Sequence, residues 1–265
     1  MQMNVKEFMA ELYKGVPSEQ VTYLFTLPDR ATYPYEIGQM DQMLEKAMAL
    51  NRSKDVYFGL HLMDEPPFLG GRASASDISG ISFIHGEYDI KGPAHKEENL
   101  PKTQEELLAF LHGLECPPSI IVHSGNGLHT YWLLQEYTAV NDENRESIKR
   151  IAKGHELHTQ KLGRAYGWKF DSVADLARVL RIPGTLNHKS DPPRRVEIIK
   201  PMLERKGDHV REKTENQPCR ANPAHEKAHA CSGIRAHIHR KRRDAAFAGG
   251  TDQLLQRDDP EKPGI

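Results

Sequence analysis

Ser119-Ile-Ile-Val-His-Ser-Gly-Asn-Gly-Leu-His-Thr-Tyr-Trp-Leu-Leu134 places two apolar, strand-forming runs on either side of an Asn-Gly pair. Ser119–His123 reads as one strand and Leu128–Leu134 as its return partner, because Asn-Gly between such runs is the strongest short-range hairpin signal. The two glycines allow a tight turn and close approach of other groups. Upstream, Ile81–Ile90 reads as a strand. Thr103-x-x-Glu106 is a capping box that opens a helix through Leu107, Leu108, Phe110, Leu111 and Leu114. Downstream, a long helix over roughly residues 142–165 is followed by a last strand at Val196–Lys200. The order is β-α-β-β-α-β, which predicts an α+β protein with a ferredoxin/RRM-like core. That fold carries many functions, so function has to come from particular residues.

The flanks are less regular. Residues 3–13 predict a short helix with Val5, Phe8, Met9 and Leu12 on one side, and Val21–Leu27 predicts a strand closed by Pro28-Asp29. Residues 37–49 predict a second helix, and Val56–Leu62 another strand, before a Gly/Ser-rich loop that carries Arg72. The expected organisation is one main domain at 1–205, made of an N-terminal α/β part at 1–79 and the core at 80–205. Residues 206–265 are rich in charge and poor in apolar residues, and read as a disordered tail. That tail holds Cys219, His225, His229, Cys231, His237 and His239 at spacings that match no standard zinc pattern, and a basic run at Arg235–Arg243. Over all 265 residues, 36 Lys and Arg face 37 Asp and Glu, so net charge neither announces nor excludes a nucleic-acid partner. Three cysteines are too few for a disulfide framework. No apolar run approaches a membrane span and no signal-peptide pattern opens the chain, so the expected location is cytoplasmic.

Three stretches carry chemistry. In His85-Gly-Glu87-Tyr-Asp89-Ile-Lys91, strand alternation puts Glu87, Asp89 and Lys91 on one face. Two carboxylates so close repel unless a cation sits between them, which points to Mg²⁺ or Mn²⁺. Read alone, the pattern equally describes a solvent-facing strand. In the hairpin, Ser124 leaves one strand as His129 enters the next, so a hydroxyl, backbone amides and an imidazole can meet a phosphate. In Asp171-Ser-Val-Ala-Asp-Leu-Ala-Arg-Val-Leu-Arg-Ile-Pro-Gly-Thr-Leu-Asn-His-Lys189, apolar Val173, Leu176, Val179 and Leu180 predict an amphipathic helix over 172–181. Ser172 and Asp175 would cap it, Pro183-Gly184 would end it, and Arg178 and Arg181 would share a face suited to a polyphosphate. A surface helix with solvated charges fits that stretch as well.

Taken in order, the three stretches resemble the archaeo-eukaryotic primase superfamily, most closely the primase-polymerases of phages and plasmids. The resemblance rests on the acidic pair Glu87/Asp89, the Ser124-Gly-x-Gly-x-His129 hairpin, and Asp171 with Arg178-x-x-Arg181-hydrophobic-Pro-Gly-Thr-x-Asn-x-Lys189. It spans roughly residues 20–200. One departure is Glu87, where those relatives usually carry aspartate. The resemblance implies a template-dependent nucleotidyltransferase that synthesises or extends primers on single-stranded DNA. Glu87, Asp89 and Asp171 would hold two Mg²⁺ or Mn²⁺ ions, with Asp175 as the rival third acid. Ser124, His129, Arg178, Arg181 and Lys189 would grip the triphosphate of an incoming NTP or dNTP. A replicative helicase, in trans or on a longer parent chain, is an implied partner, since the chain has no Walker motif. Two other readings compete: a noncatalytic single-strand-binding module that uses the sheet as a stacking platform, and a metal-dependent phosphodiesterase or nucleotide cyclase.

Overall fold

The computed structural model of the chain describes residues 3–67, 71–93 and 95–200. The predicted tail, with its cysteines, histidines and basic run, lies outside the described residues, as does Gly70.

Helix α1 (Val5–Leu12) starts at Asn4, whose side chain accepts from the Lys6 and Glu7 amides while Glu7 reaches back to the Asn4 amide. Its Phe8, Met9 and Leu12 are buried. Strands β1 (Val21–Leu27), β2 (Thr32–Glu36) and β3 (Asp55–Gly59) follow, with helix α2 (Met40–Leu50) between β2 and β3. β2 escapes a pattern reading because Pro34 interrupts it. It occupies the edge of its sheet, where the missing proline N–H costs nothing. The core then runs β4 (Gly80–Asp89), α3 (Gln104–His112), β5 (Ile120–His123), β6 (Gly127–Ala139) and α4 (Arg145–Arg164). Short strands β7 (Val179–Arg181), β8 (Leu186–Asn187) and β9 (Arg194–Arg195) precede β10 (Glu197–Lys200).

The protein is α+β, with two four-stranded sheets ordered β2-β1-β3-β7 and β10-β5-β6-β4 and a small β8-β9 hairpin. The second sheet has the predicted β-α-β-β-α-β element order. Both of its βαβ units are split: β6 separates β4 from β5, and β5 separates β6 from β10. The last strand therefore takes the edge beside β5. One apolar core fills the space between the sheets and the first two helices, with Phe8, Leu24, Phe58, Phe83, Tyr131 and Leu180 at its centre. A second core backs β1 and β4 with Tyr23, Phe25, Ile81, Ile148 and Leu176.

The helix expected over 172–181 does not form. Helices this short need tertiary support to persist, and here the neighbours favour other conformations. The buried Glu156 carboxylate on α4 accepts the Val173 and Ala174 amides at 2.5 and 2.6 Å, so these donors have no need of a helical turn. Ser172, the expected cap, donates to the same carboxylate. Asp175 closes a local turn instead, accepting from the Ala177 amide at 3.0 Å. β3 then offers an edge, and Val179–Arg181 pairs with Tyr57–Gly59. The apolar periodicity was real, since Val173, Leu176, Val179 and Leu180 are all buried, but packing satisfied it without a helix. This segment carries the chain from the second sheet back into the first.

Candidate active site

A cleft of about 400 Å³ opens where the two sheets meet. A smaller lobe of about 170 Å³ shares Glu87, Asp89, His95 and Arg178 with it. β4 and β6 pair in a register that sets Glu87 opposite His129 and Asp89 opposite Gly127. The two acids and the imidazole therefore share one face, while Tyr88 and Leu128 are buried. Gly127 has to be glycine, because a Cβ there would run into the Tyr88 carbonyl oxygen. Gly125 turns the hairpin at φ +98, a conformation L residues rarely adopt.

The Arg/Pro-Gly-Thr stretch reaches this cleft through a chain of backbone locks. Gly184 sits at φ +89, and the Thr185 hydroxyl donates to the Ile182 carbonyl at 2.7 Å. Asn187 donates to the Ser124 carbonyl at 2.7 Å and accepts from the Lys189 amide at 3.0 Å, which ties the lysine turn to the hairpin. Lys189, Ser124, His129, Arg178 and Arg181 all line the larger cleft with Glu87 and Asp89. Asp171 lines the smaller lobe. Asp175 lines neither lobe; it caps the turn. Lys91, on the acids' strand, instead pairs with Glu98 at 2.6 Å and lines neither lobe.

Electrostatics gives each group a state. Arg178 donates to Glu87 in a half-buried ion pair. Burial penalises the Glu87 carboxylate, but His129 and Arg178 outweigh that penalty and hold it below the usual range. Burial raises the Asp89 pKa, and the charges of Glu87 and Asp171 raise it further against the pull of His95, whose Nδ1 lies 3.0 Å away. Burial pushes His129 down to about 4 against the upward pull of Glu87, with Arg181 and Arg178 adding to the downward push, so its imidazole is neutral near pH 7. Its Nδ1 is buried without a hydrogen-bond partner among the described residues. Arg181 is 5% exposed, donates to Asp55 at 2.5 Å and lies 4.6 Å from the centroid of the Tyr57 ring. His85 donates Nε2–H to the Val173 carbonyl at 2.9 Å, bracing the acids' strand against the Asp171 segment.

Three carboxylates in electrostatic contact are the right donor type for a hard divalent cation. Among the described residues, however, no group of three or more His, Cys, Asp or Glu side chains is drawn together tightly enough to grip an ion. Glu87 is engaged by Arg178 and Asp89 by His95.

Asp55, Tyr57 and His95 join the site without any signal in their local sequence. Asp55 and Tyr57 share a face of β3, but only the pairing of β3 with β7 brings that face to Arg181. Arg72, singled out from its Gly/Ser-rich loop, does line the cleft.

No family model and no curated protein matches the chain. Among solved structures, the fold is similar to the crystal structure of primase RepB', with a TM-score of 0.46, 13% identity, and cover of 92% of this chain and 67% of that one. The catalytic domain of primase RepB' in complex with initiator DNA aligns at a TM-score of 0.44 and 13% identity, over 75% of this chain and 86% of that one. The archaeo-eukaryotic primase domain of the cyanophage S-2L primase-polymerase aligns at 0.42 and 14%, over 73% and 86%. No helix among the described residues is long and apolar enough to cross a membrane.

Proposed function

We propose that the chain is a template-dependent nucleotidyltransferase, a primase-polymerase that synthesises or extends primers on single-stranded DNA. The observation that supports this best is the convergence, on one cleft, of residues from three distant stretches: Glu87 and Asp89, Ser124 and His129, and Arg178, Arg181 and Lys189. An acidic centre beside a cluster of phosphate-binding groups is what phosphoryl transfer needs, since positioning and charge neutralisation supply most of its catalysis.

In this reading Glu87, Asp89 and Asp171 would hold Mg²⁺ or Mn²⁺. Bound there, such ions supply activation of an attacking 3′-hydroxyl and neutralisation of the departing pyrophosphate. The chain's own groups do the rest. Arg181, kept rigid by Asp55 and Tyr57, presents a preset fork to the triphosphate. Neutral His129, which lines the cleft, offers the triphosphate a directional hydrogen bond rather than a charge. Lys189, which also lines the cleft, adds a point charge. Arg178 closes on Glu87 in the free protein; an arriving phosphate competes for its guanidinium, and that exchange frees the Glu87 carboxylate.

The test is synthesis on unprimed and primed single-stranded DNA with labelled NTPs or dNTPs in Mg²⁺ or Mn²⁺, comparing wild type with Asp89→Ala. Products from wild type alone are expected. Equal activity in the variant, or none from wild type on either template, would overturn the assignment.

A further inference from the structure

Beyond α4 the chain builds an aromatic ladder that the proposed chemistry does not use. Tyr166 and Trp168 stack with centroids 5.0 Å apart and planes 23° from parallel. Both meet Phe110 edge-on at 5.6 Å, Phe110 meets Phe170 at 5.7 Å, and Phe170 meets Tyr88 at 4.9 Å. Tyr88 lies between Glu87 and Asp89 on β4, so the ladder runs from the surface to the back of the acids' strand. Phe170 also lines the smaller lobe, together with Lys169 and Asp171.

Two glycines shape it. Gly167 turns at φ +77, bringing Tyr166 and Trp168 face to face, and Gly163 has no Cβ where the Phe170 ring packs. The end of the ladder is open: Tyr166 is 63% exposed, although a buried tyrosine would serve packing better. Around it, the last turn of α4 carries Lys161 and Arg164, both exposed and without an ion pair among the described residues. Lys169 follows, paired with Glu97 at 2.6 Å but 70% exposed. An open aromatic face flanked by cations, three residues from an acid of the cleft, matches how proteins hold single-stranded nucleic acid: bases stack on rings and phosphates meet the cations. Residues 168–171 span at most about 10 Å along the chain, roughly one or two nucleotides of reach.

We infer that Tyr166 and Trp168 form a base-stacking platform for single-stranded DNA entering the smaller lobe. This rests on the nucleotidyltransferase reading for its choice of ligand. The platform is not on a sheet face, where a noncatalytic binding module would place it.

The experiment uses the full chain and two fluorescein-labelled probes, a 20-nucleotide oligo(dT) and an abasic oligonucleotide of equal length, titrated by anisotropy at fixed salt. Tyr166→Ala should weaken oligo(dT) binding about 5- to 100-fold and leave abasic binding unchanged. Tyr166→Phe, which keeps the ring, should restore it. In a Trp132→Phe background, oligo(dT) should quench Trp168 emission. Unchanged oligo(dT) affinity in Tyr166→Ala, as a protein-docking role for this patch would give, or equal loss on both probes overturns the platform. The failures are separable. Base-dependent binding without any synthesis by wild type would sink the polymerase reading and leave the platform standing. Synthesis by wild type with no effect of Tyr166→Ala on binding would do the reverse.

Discussion

Removing the Glu156 carboxylate should loosen the Asp171 segment more than any change within that segment. Glu156 is 6% exposed, and its Oε2 alone accepts both the Val173 and Ala174 amides, while Oε1 accepts from Ser172 and Lys153. Glu156→Ala leaves a buried amide (Val173) and a half-buried one (Ala174) without acceptors, at about 1–3 kcal/mol each with the second toward the low end. With the lost charge-assisted contacts, the cost is about 3–5 kcal/mol. Glu156→Gln keeps a carbonyl oxygen for both amides and loses the charge assistance, so about 1–2 kcal/mol is expected. At about 2–4 °C per kcal/mol for a domain of this size, the alanine variant should melt roughly 10 °C below wild type and the glutamine variant only a few degrees below. The pH dependence gives a second readout. Burial opposes the Glu156 charge, but Lys153, the two amides and Ser172 outweigh it, so its folded pKa lies below its unfolded value of about 4.5. Its stabilisation is therefore complete above about pH 4.5 and is lost as pH falls through the folded pKa. Wild type should lose more stability than Glu156→Gln on going from pH 6 to pH 3. Melting of the alanine variant within 2 °C of wild type, or equal loss in both variants, would refute the anchoring argument.

Other expectations follow from single contacts. Arg181→Ala should raise the Kd for a nucleoside triphosphate at least tenfold while changing single-stranded DNA affinity less than threefold, read by separate titrations; equal loss of both would assign Arg181 a general electrostatic role. Asp55→Ala strands the buried Arg181 charge and removes an acceptor from the His188 amide, so denaturant melts should show a loss of about 3 kcal/mol or more. Gly127→Ala must push β6 off the Tyr88 carbonyl and should cost about 1–3 kcal/mol; wild-type stability would mean the hairpin yields more readily than its pairing implies.

The local signals in the chain settled a good deal. Apolar periodicity, the Thr103 cap and the Asn126-Gly127 turn mark α1, α3, α4 and the β5–β6 hairpin, because each depends on residues only a few positions apart. The same locality puts Glu87 and Asp89 on one side of β4. Where sequence could not decide, a distant partner did. The stretch from Ser172 to Arg181 has a helical pattern, yet Glu156 takes its first amides and the β3 edge takes its last residues. Arg181 was legible as a phosphate-binding candidate, but Asp55, its counter-ion 126 positions away, was not. The cleft itself exists only because β7 leaves one sheet's connections to join the other sheet. Long-range pairing and buried charge are decided by which surfaces meet, and no window of sequence contains both partners.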